Sequence, residues 1–416
     1  MQAMNDIQRR KLLRCLGVTL GAGLLPNAWA KQADLLKNGR LIFVFLRGAC
    51  DGLSATVPFT DPHYTPNRPT IGIPPPDGSH TTAIKLDSTF ALHPAMAPLL
   101  PLWQSGVLSF IPAAGSPDPT RSHFEAQVHW EIGMPGKSNA PHGWLNALAE
   151  MGAAGGATPV AIGVGEANPK VLSGTQPVRL IPKGKTAVQQ GVLGNDRARQ
   201  ALMDLYAGSD DVSRAFRQGA ESRMGSAQEL AQEMVAADNG AASAAGLLLD
   251  AQHLGTLMRN DRRLRLGFLS AGGWDTHANQ GSTKGALANN LGKLADALVQ
   301  LRRDFAEPGD IIMVASEFGR TVRENGTRGT DHGHGNTLWL IGNRINGGRW
   351  HGDWTGLAHN NLNEGRDVPV HQDFRSVFAQ VLQHSFQLND SQLQDVFPGA
   401  RLDRQLARLM KLRDLG

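Results

Sequence analysis

The stretch GTDHGHGNT, residues 329 to 337, sets Asp331, His332 and His334 among glycines. Carboxylate oxygens and imidazole nitrogens are ligands for divalent cations. One such cluster cannot close a coordination shell, so further ligands have to come from elsewhere in the chain. Candidates are the polar residues that directly follow apolar runs: Asp51 after RLIFVFL, Thr120, Ser122 and His123 after VLSFIPAAG, Asp275 and His277 after LRLGFLSAGG, and Glu317 after DIIMVAS. No cysteine belongs to this set, which argues against a structural zinc knot, and the mixture of oxygen and nitrogen donors favours zinc or manganese. Asp51, Asp275, His277, Glu317, Asp331, His332 and His334 are enough ligands for one ion or for two. A pair of ions can stabilise both the attacking and the leaving oxygen of a displacement at phosphorus or sulfur.

A second motif, PDPTRSHFEAQ, supplies hydroxyls. Ser122 or Thr120 at a helix N-terminus would stand where backbone N–H groups and the helix dipole favour an anion, placed to attack a phosphoryl group or to bind it. Arg121 between them is suited to clamping anionic oxygens. With His123 beside them, these residues form the expected catalytic set.

For residues so far apart to meet, the elements that carry them must share an edge. Leu41 to Leu46 is apolar on both faces, which predicts a buried strand, and the runs ending near Gly115, Ala271 and Ser316 repeat the signal. Amphipathic segments such as NNLGKLADALVQLRRDF lie between them. This alternation predicts an α/β fold: a doubly wound, mostly parallel sheet with helices on both faces, whose strand ends share one ligand-binding edge. Residues 58 to 90, rich in proline and polar residues, read as a surface excursion, and residues 193–260 as a helical insertion. The expected organisation is a signal segment, 1–30, followed by one domain, 31–416.

Residues 1–30 carry Arg9-Arg10-Lys11, an apolar run from Leu16 to Leu25 and Ala28-Trp29-Ala30. That order predicts a twin-arginine export signal, with the translocase as transient partner and the periplasm as destination; the apolar run is too short to span a bilayer stably. Removing the segment takes away four basic residues and one acidic one, so the formal charge falls from +4 to +1. A nearly neutral chain lacks the basic footprint of a nucleic-acid binder. Cys15 leaves with the segment and Cys50 remains alone, so no intramolecular disulfide is expected.

The stretches FLRGACDGLSATVPF, GSPDPTRSHFEAQ, GGWDTHANQG, SEFGRTVRENGTRGTDHGHGN and GGRWHGDWTGL resemble, in order, a bacterial family of twin-arginine-exported proteins of unknown function. That family is in turn similar to the alkaline phosphatase and sulfatase superfamily. The resemblance implies Asp51 as first metal aspartate, Thr120 or Ser122 as nucleophile, Asp275 with His277 as a ligand segment, and His332 or His334 as the late histidine. It also implies departures. Asp275 and His277 are two apart where the superfamily has a spacing of four, and Ser316-Glu317 stands where it has Asp-His. The expected function is a periplasmic metal-dependent hydrolase or transferase acting on a small-molecule or polymer ester of phosphate or sulfate. The competing expectations are a non-catalytic binding or assembly protein with an altered metal site, and a glycan-processing enzyme using Asp275 and Glu317 as a carboxylate pair.

Overall fold

The computed structural model describes residues 36, 39–152, 159–184, 193, 195–221, 224–225 and 246–411. The expected export signal and Cys15 lie outside the described residues. So does much of the expected helical insertion.

Strand β1 (Arg40–Leu46) is buried along its whole length, and its side chains alternate between two cores. Leu41, Phe43 and Phe45 pack with Trp130, Trp144 and Phe378; Ile42, Val44 and Leu46 pack with Leu254, Leu291 and Leu298. The period of two in a strand thus turns one continuous apolar run into the centre of two layers. Around it lie β2 (Leu108–Gly115), β3 (Ala161–Val164), β4 (Val178–Ile181), β5 (Leu266–Ala271), β6 (Asp310–Ser316), β7 (Asn336–Gly342) and the short β8 (Arg349–Trp350) and β9 (Gln372–Asp373). The sheet order is β8-β2-β7-β6-β1-β5-β3-β4, with β9 also paired to β2. Helices α1 (His123–Ile132), α2 (Trp144–Gly152) and α5 (Phe374–Phe386) cover one face, and α3 (Leu247–Asn260) and α4 (Ala286–Asp304) the other. The fold is the mostly parallel, doubly wound α/β sheet that the sequence predicts.

One strand runs against the rest. β7 pairs antiparallel with both β2 and β6, while every other pairing in this sheet is parallel. Between Asn336 and Leu338 its register with β2 shifts, at the point where β2 carries Pro112 and Ala113 at φ +47°. Proline and a left-handed residue interrupt the ladder there as a bulge.

Two expectations change in detail. The stretch 58 to 90 is not only a surface excursion, because Tyr64, Ile71 and Ile73 are buried and bring Arg68 inside with them. Within 193–260, the helix Asp196–Leu205 buries no residue, whereas α3 packs on the sheet against α4. No helix among the described residues is long and apolar enough to cross a membrane.

His253 on α3 is fully buried, and neither ring nitrogen has a hydrogen-bond partner among the described residues. Burial pushes its pKa down to about 4. The unfolded chain takes up this proton near pH 6.5 while the native protein keeps the ring neutral, so stability should fall as pH drops from about 6.5 to 4, by on the order of 3 kcal/mol. Urea unfolding at about pH 7 and pH 4.5 should show a smaller acid loss in His253→Leu than in the wild type. Equal losses in the two proteins would refute this account.

Candidate functional site

β1, β2, β5 and β6 point the same way, so the residues that follow them emerge on one edge of the sheet, where ligands bind in open α/β folds. The reversed β7 begins on that same edge. The loop 317–335 therefore leaves β6 and enters β7 without crossing the sheet, which brings the DHGHG segment to the strand tips. Its glycines allow close backbone packing. A Cβ on Gly333 would lie 2.6 Å from the Arg320 carbonyl and one on Gly335 2.2 Å from the Pro369 carbonyl oxygen.

Three ligand atoms converge at this edge. His123, Asp275 and His332 each bring one, all within 4.8 Å of one another. Asp275 Oδ1 is 3.5 Å from His123 Nε2 and 3.4 Å from His332 Nε2. A tetrahedral zinc with bonds of about 2.1 Å keeps its ligands about 3.4 Å apart, so the separations suit a single ion. His277 adjoins the group, its Nε2 3.0 Å from Asp275 Oδ1 and 2.9 Å from His332 Nε2.

Each ring is oriented through its other nitrogen. His123 Nδ1 lies 2.7 Å from Glu317 Oε1 and His332 Nδ1 2.8 Å from the Arg121 carbonyl oxygen, while His277 Nδ1 is 3.3 Å from Asp331 Oδ1. An N–H donated to an oxygen behind the ring leaves the lone pair on Nε2, as in histidines that ligate metals. His123 Nε2 is buried with no hydrogen-bond partner among the described residues. A buried ring nitrogen without a partner is costly, and a cation would satisfy it.

The supports are more buried than the ligands. Glu317 is 1% exposed; its Oε1 accepts from His123 Nδ1, from Gln127 Nε2 at 2.9 Å and from the Gly48 N–H at 2.8 Å. Burial pushes its pKa up, but these bonds outweigh it and hold the carboxyl below the ordinary glutamate range. The Glu317 hydrogen bond in turn raises the His123 pKa, while burial lowers that of His332. For Asp275, burial opposes ionisation, yet the Arg320 hydrogen bond at 2.6 Å and its charge leave the pKa below the usual range.

Several expected ligands stand elsewhere. Asp51 is fully buried and gripped by Arg68, whose Nη1 and Nη2 reach its two oxygens at 2.5 and 3.1 Å, with Ser54 Oγ and Gln280 Nε2 each at 2.7 Å. Three donors meet its Oδ2 and one meets its Oδ1, so this carboxylate is engaged by the protein and stands outside the group of three ligand atoms. Burial works against its charge, and the Arg68 charge overrides this to leave its pKa lowered. Glu317 and Asp331 touch histidines from behind rather than entering the ligand group. Three donors meet Glu317 Oε1, and Ser316 Oγ lies 3.0 Å from its Oε2. His334 lies beside Asp367 and Arg121, apart from the three ligands, and burial lowers its pKa. Among the described residues these three atoms form one such group.

The hydroxyls serve the helix. Ser122 caps α1 by accepting from the Glu125 N–H at 3.5 Å, and Thr120 Oγ1 donates to Glu125 Oε2 at 2.6 Å. Arg121 pairs with Glu364 and Asp367. His123, expected in the catalytic set, lies in the group of three atoms that could hold a cation. Arg68, Gln280 and Arg320 were not anticipated. The signal for His123 is present in the sequence, since His123, Gln127 and Trp130 follow the i, i+4, i+7 spacing of one helix face, and all three contact Glu317.

The profile described as "Protein of unknown function (DUF1501)" matches residues 38–397. No curated protein matches the chain. Among solved structures, the chain is similar to a mutant TAB5 alkaline phosphatase with magnesium bound, at 12% identity over 73% of this chain and 90% of that one, TM-score 0.34. It is similar to the phosphonoacetate hydrolase of Sinorhizobium meliloti 1021 in complex with phosphonoacetate, at 11% identity over 68% of this chain and 57% of that one, TM-score 0.29. Ps i-CgsB in complex with k-i-k-neocarrahexaose gives 11% identity, coverage of 85% and 74%, and TM-score 0.33.

Two substitutions separate ligand support from structural pairing. Glu317→Gln should weaken zinc binding about 10- to 100-fold in a competition titration against a chromophoric chelator. Asp51→Asn should leave zinc stoichiometry unchanged while destabilising the fold by about 3 kcal/mol in urea, because it strands a buried Arg68. Loss of zinc from folded Asp51→Asn would contradict the assignment.

Proposed function

The chain belongs to the DUF1501 family of proteins of unknown function, and we propose that it is a metal-dependent hydrolase or transferase acting on phosphate or sulfate esters, exported to the periplasm by the twin-arginine route. One observation carries this reading: the ligand atoms of His123, Asp275 and His332 converge while oxygens behind the two rings fix their lone pairs forward. This donor set favours zinc or manganese. When bound, the ion would polarise an ester oxygen and acidify a water.

The chain's own residues supply the rest. Three protein ligands leave room at the ion, as catalytic sites do. His277, with Asp331 behind it and its side chain 44% exposed, stands at the solvent side where a water or leaving group has to exchange a proton. Thr120 and Ser122 are occupied with the N-terminus of α1, which supports water, rather than either hydroxyl, as the nucleophile.

A second reading, a non-catalytic binding or assembly protein, draws on the Arg68–Asp51 pair, which withdraws a carboxylate that the superfamily resemblance would make a ligand.

Metal analysis and assays with p-nitrophenyl phosphate and p-nitrophenyl sulfate separate the two. About one divalent ion per chain is expected. His332→Ala should lose the ion and the activity together, whereas His277→Ala should keep the ion and lose on the order of 100-fold or more in kcat. A bound ion with no turnover of either ester would favour the binding reading, and protein isolated from the periplasm without any divalent ion would sink the hydrolase. Export is read separately: replacing Arg9 and Arg10 together by lysine should retain the protein in the cytoplasm.

A further inference from the structure

We propose that the cavity beside the tip of β5, where α3 and α4 begin, binds a single acidic sugar unit: one ring that carries both hydroxyl groups and a carboxylate or comparable anion. The inference does not rest on the hydrolase reading, because His123, Asp275 and His332 are not among the residues that line this cavity.

The cavity has a volume of about 180 Å³. A dry cavity of about 150 Å³ takes one benzene ring, so the space suits one six-membered ring. Its walls are mixed rather than dry. Leu247 and Trp274 give an apolar side, and Lys183, Asp250, Asn290 and Lys293 a polar one. Leu247 and Asp250 are three apart on α3, as are Asn290 and Lys293 on α4, so each pair shares a helix face.

Asp250 sets the first demand on a ligand. It is 1% exposed, its Oδ1 accepts from the Gly184 N–H at 2.5 Å, and no other hydrogen bond to its carboxylate forms among the described residues. Burial pushes its pKa up, against the pull of that N–H and of the Lys183 charge. A buried carboxylate with an oxygen left over needs a donor. Asn290 adds a second acceptor, because its Nδ2 donates to the Gly273 carbonyl at 2.8 Å and leaves Oδ1 to accept. Ligand hydroxyls supply such donors; a bare phosphate or sulfate ion would bring acceptors to acceptors.

The lysines set the second demand. Lys183 and Lys293 are exposed where Asp250 is buried, so the lining is positive at its mouth and rich in acceptors at its base. No side chain caps the start of α3, whose Gly246 and Leu247 also line the space, and an open helix N-terminus favours negative charge. An amine drawn to Asp250 would have to pass both lysines. A neutral sugar meets only the first demand and an inorganic anion only the second. A ring bearing hydroxyls and an acid meets both.

The test titrates galacturonate and glucuronate into the full chain by calorimetry, with galactose and inorganic phosphate as controls. These uronates carry no phosphate or sulfate ester, and metal-stripped protein excludes carboxylate binding to an ion, so binding there reports the cavity. At least one uronate should bind with a Kd of about 1 mM or tighter, about tenfold or more below that of galactose or phosphate. Lys293→Gln, at an exposed position and with an unchanged melting temperature as the folding check, should weaken that uronate about fivefold, toward galactose. Asp250→Asn has to turn its carbonyl to the Gly184 N–H and its amide to the cavity, a donor in place of an acceptor, and should weaken the uronate about tenfold. No measurable binding of either uronate, phosphate binding as tightly as the uronates, or an unaltered affinity in Lys293→Gln would overturn the proposal. Failure to hydrolyse p-nitrophenyl esters would count against the hydrolase alone.

Discussion

A carboxylate removed from water at the end of a strand has to be met by donors, and at Glu317 the donors that meet it assemble the site. The Gly48 N–H comes from the end of β1, Ser316 Oγ lies 3.0 Å from Oε2, and His123 and Gln127 come from the first turns of α1. Trp130, one turn further, donates to the Glu317 carbonyl at 2.7 Å. Satisfying one buried charge therefore seats a whole face of α1 on the strand tip and leaves the far side of the His123 ring pointing outward. A buried charge with incomplete bonding would be expensive, so this arrangement tolerates little displacement.

Two aspartates at the same edge show how similar sequence positions acquire different roles. Asp51 and Asp275 both follow parallel strands and both pair with a buried arginine. Arg68 gives both terminal nitrogens to Asp51, and Ser54 and Gln280 add two more donors to its Oδ2. Arg320 instead distributes its donors over the carbonyls of Ala49, Gly48, Thr330 and Trp274 and touches Asp275 through Nη2 alone. The Asp51 side chain is 1% exposed and that of Asp275 47%. Pairing by fork geometry uses up one carboxylate as structure. Pairing by a single nitrogen leaves the other with lone pairs to offer.

Much of the scaffold was legible in the sequence because continuous apolar runs report buried parallel strands, and the polar residues after them mark the edge where ligands bind. The direction of β7 was not legible from NTLWLIGN, whose apolar character is the same in either orientation; it follows from pairing with β6 through the loop. Arg68 was hidden for another reason. Its neighbours are prolines and polar residues, which read as surface, yet Tyr64, Ile71 and Ile73 fold that excursion inward. Nor does a spacing of two between His332 and His334 tell which ring faces the ligands. That is decided by the Arg121 carbonyl, a backbone atom contributed from more than two hundred positions away.

Exposure across the site is graded, and the gradient bears on what a cation there would do. Glu317 and Arg320 at the base have side chains 0% exposed, His123 and His332 above them 22% and 23%, and Asp275 and His277 at the rim 47% and 44%. At the base, low polarity strengthens the bonds that orient the rings. At the rim, water can reach the ligands and exchange. A cation held only to staple the chain is better served by a closed shell, with every ligand buried and none turned to solvent. A site rigid beneath and wet above keeps its donors aligned while leaving them open to solvent, and that physical asymmetry is what the proposed catalytic reading draws on.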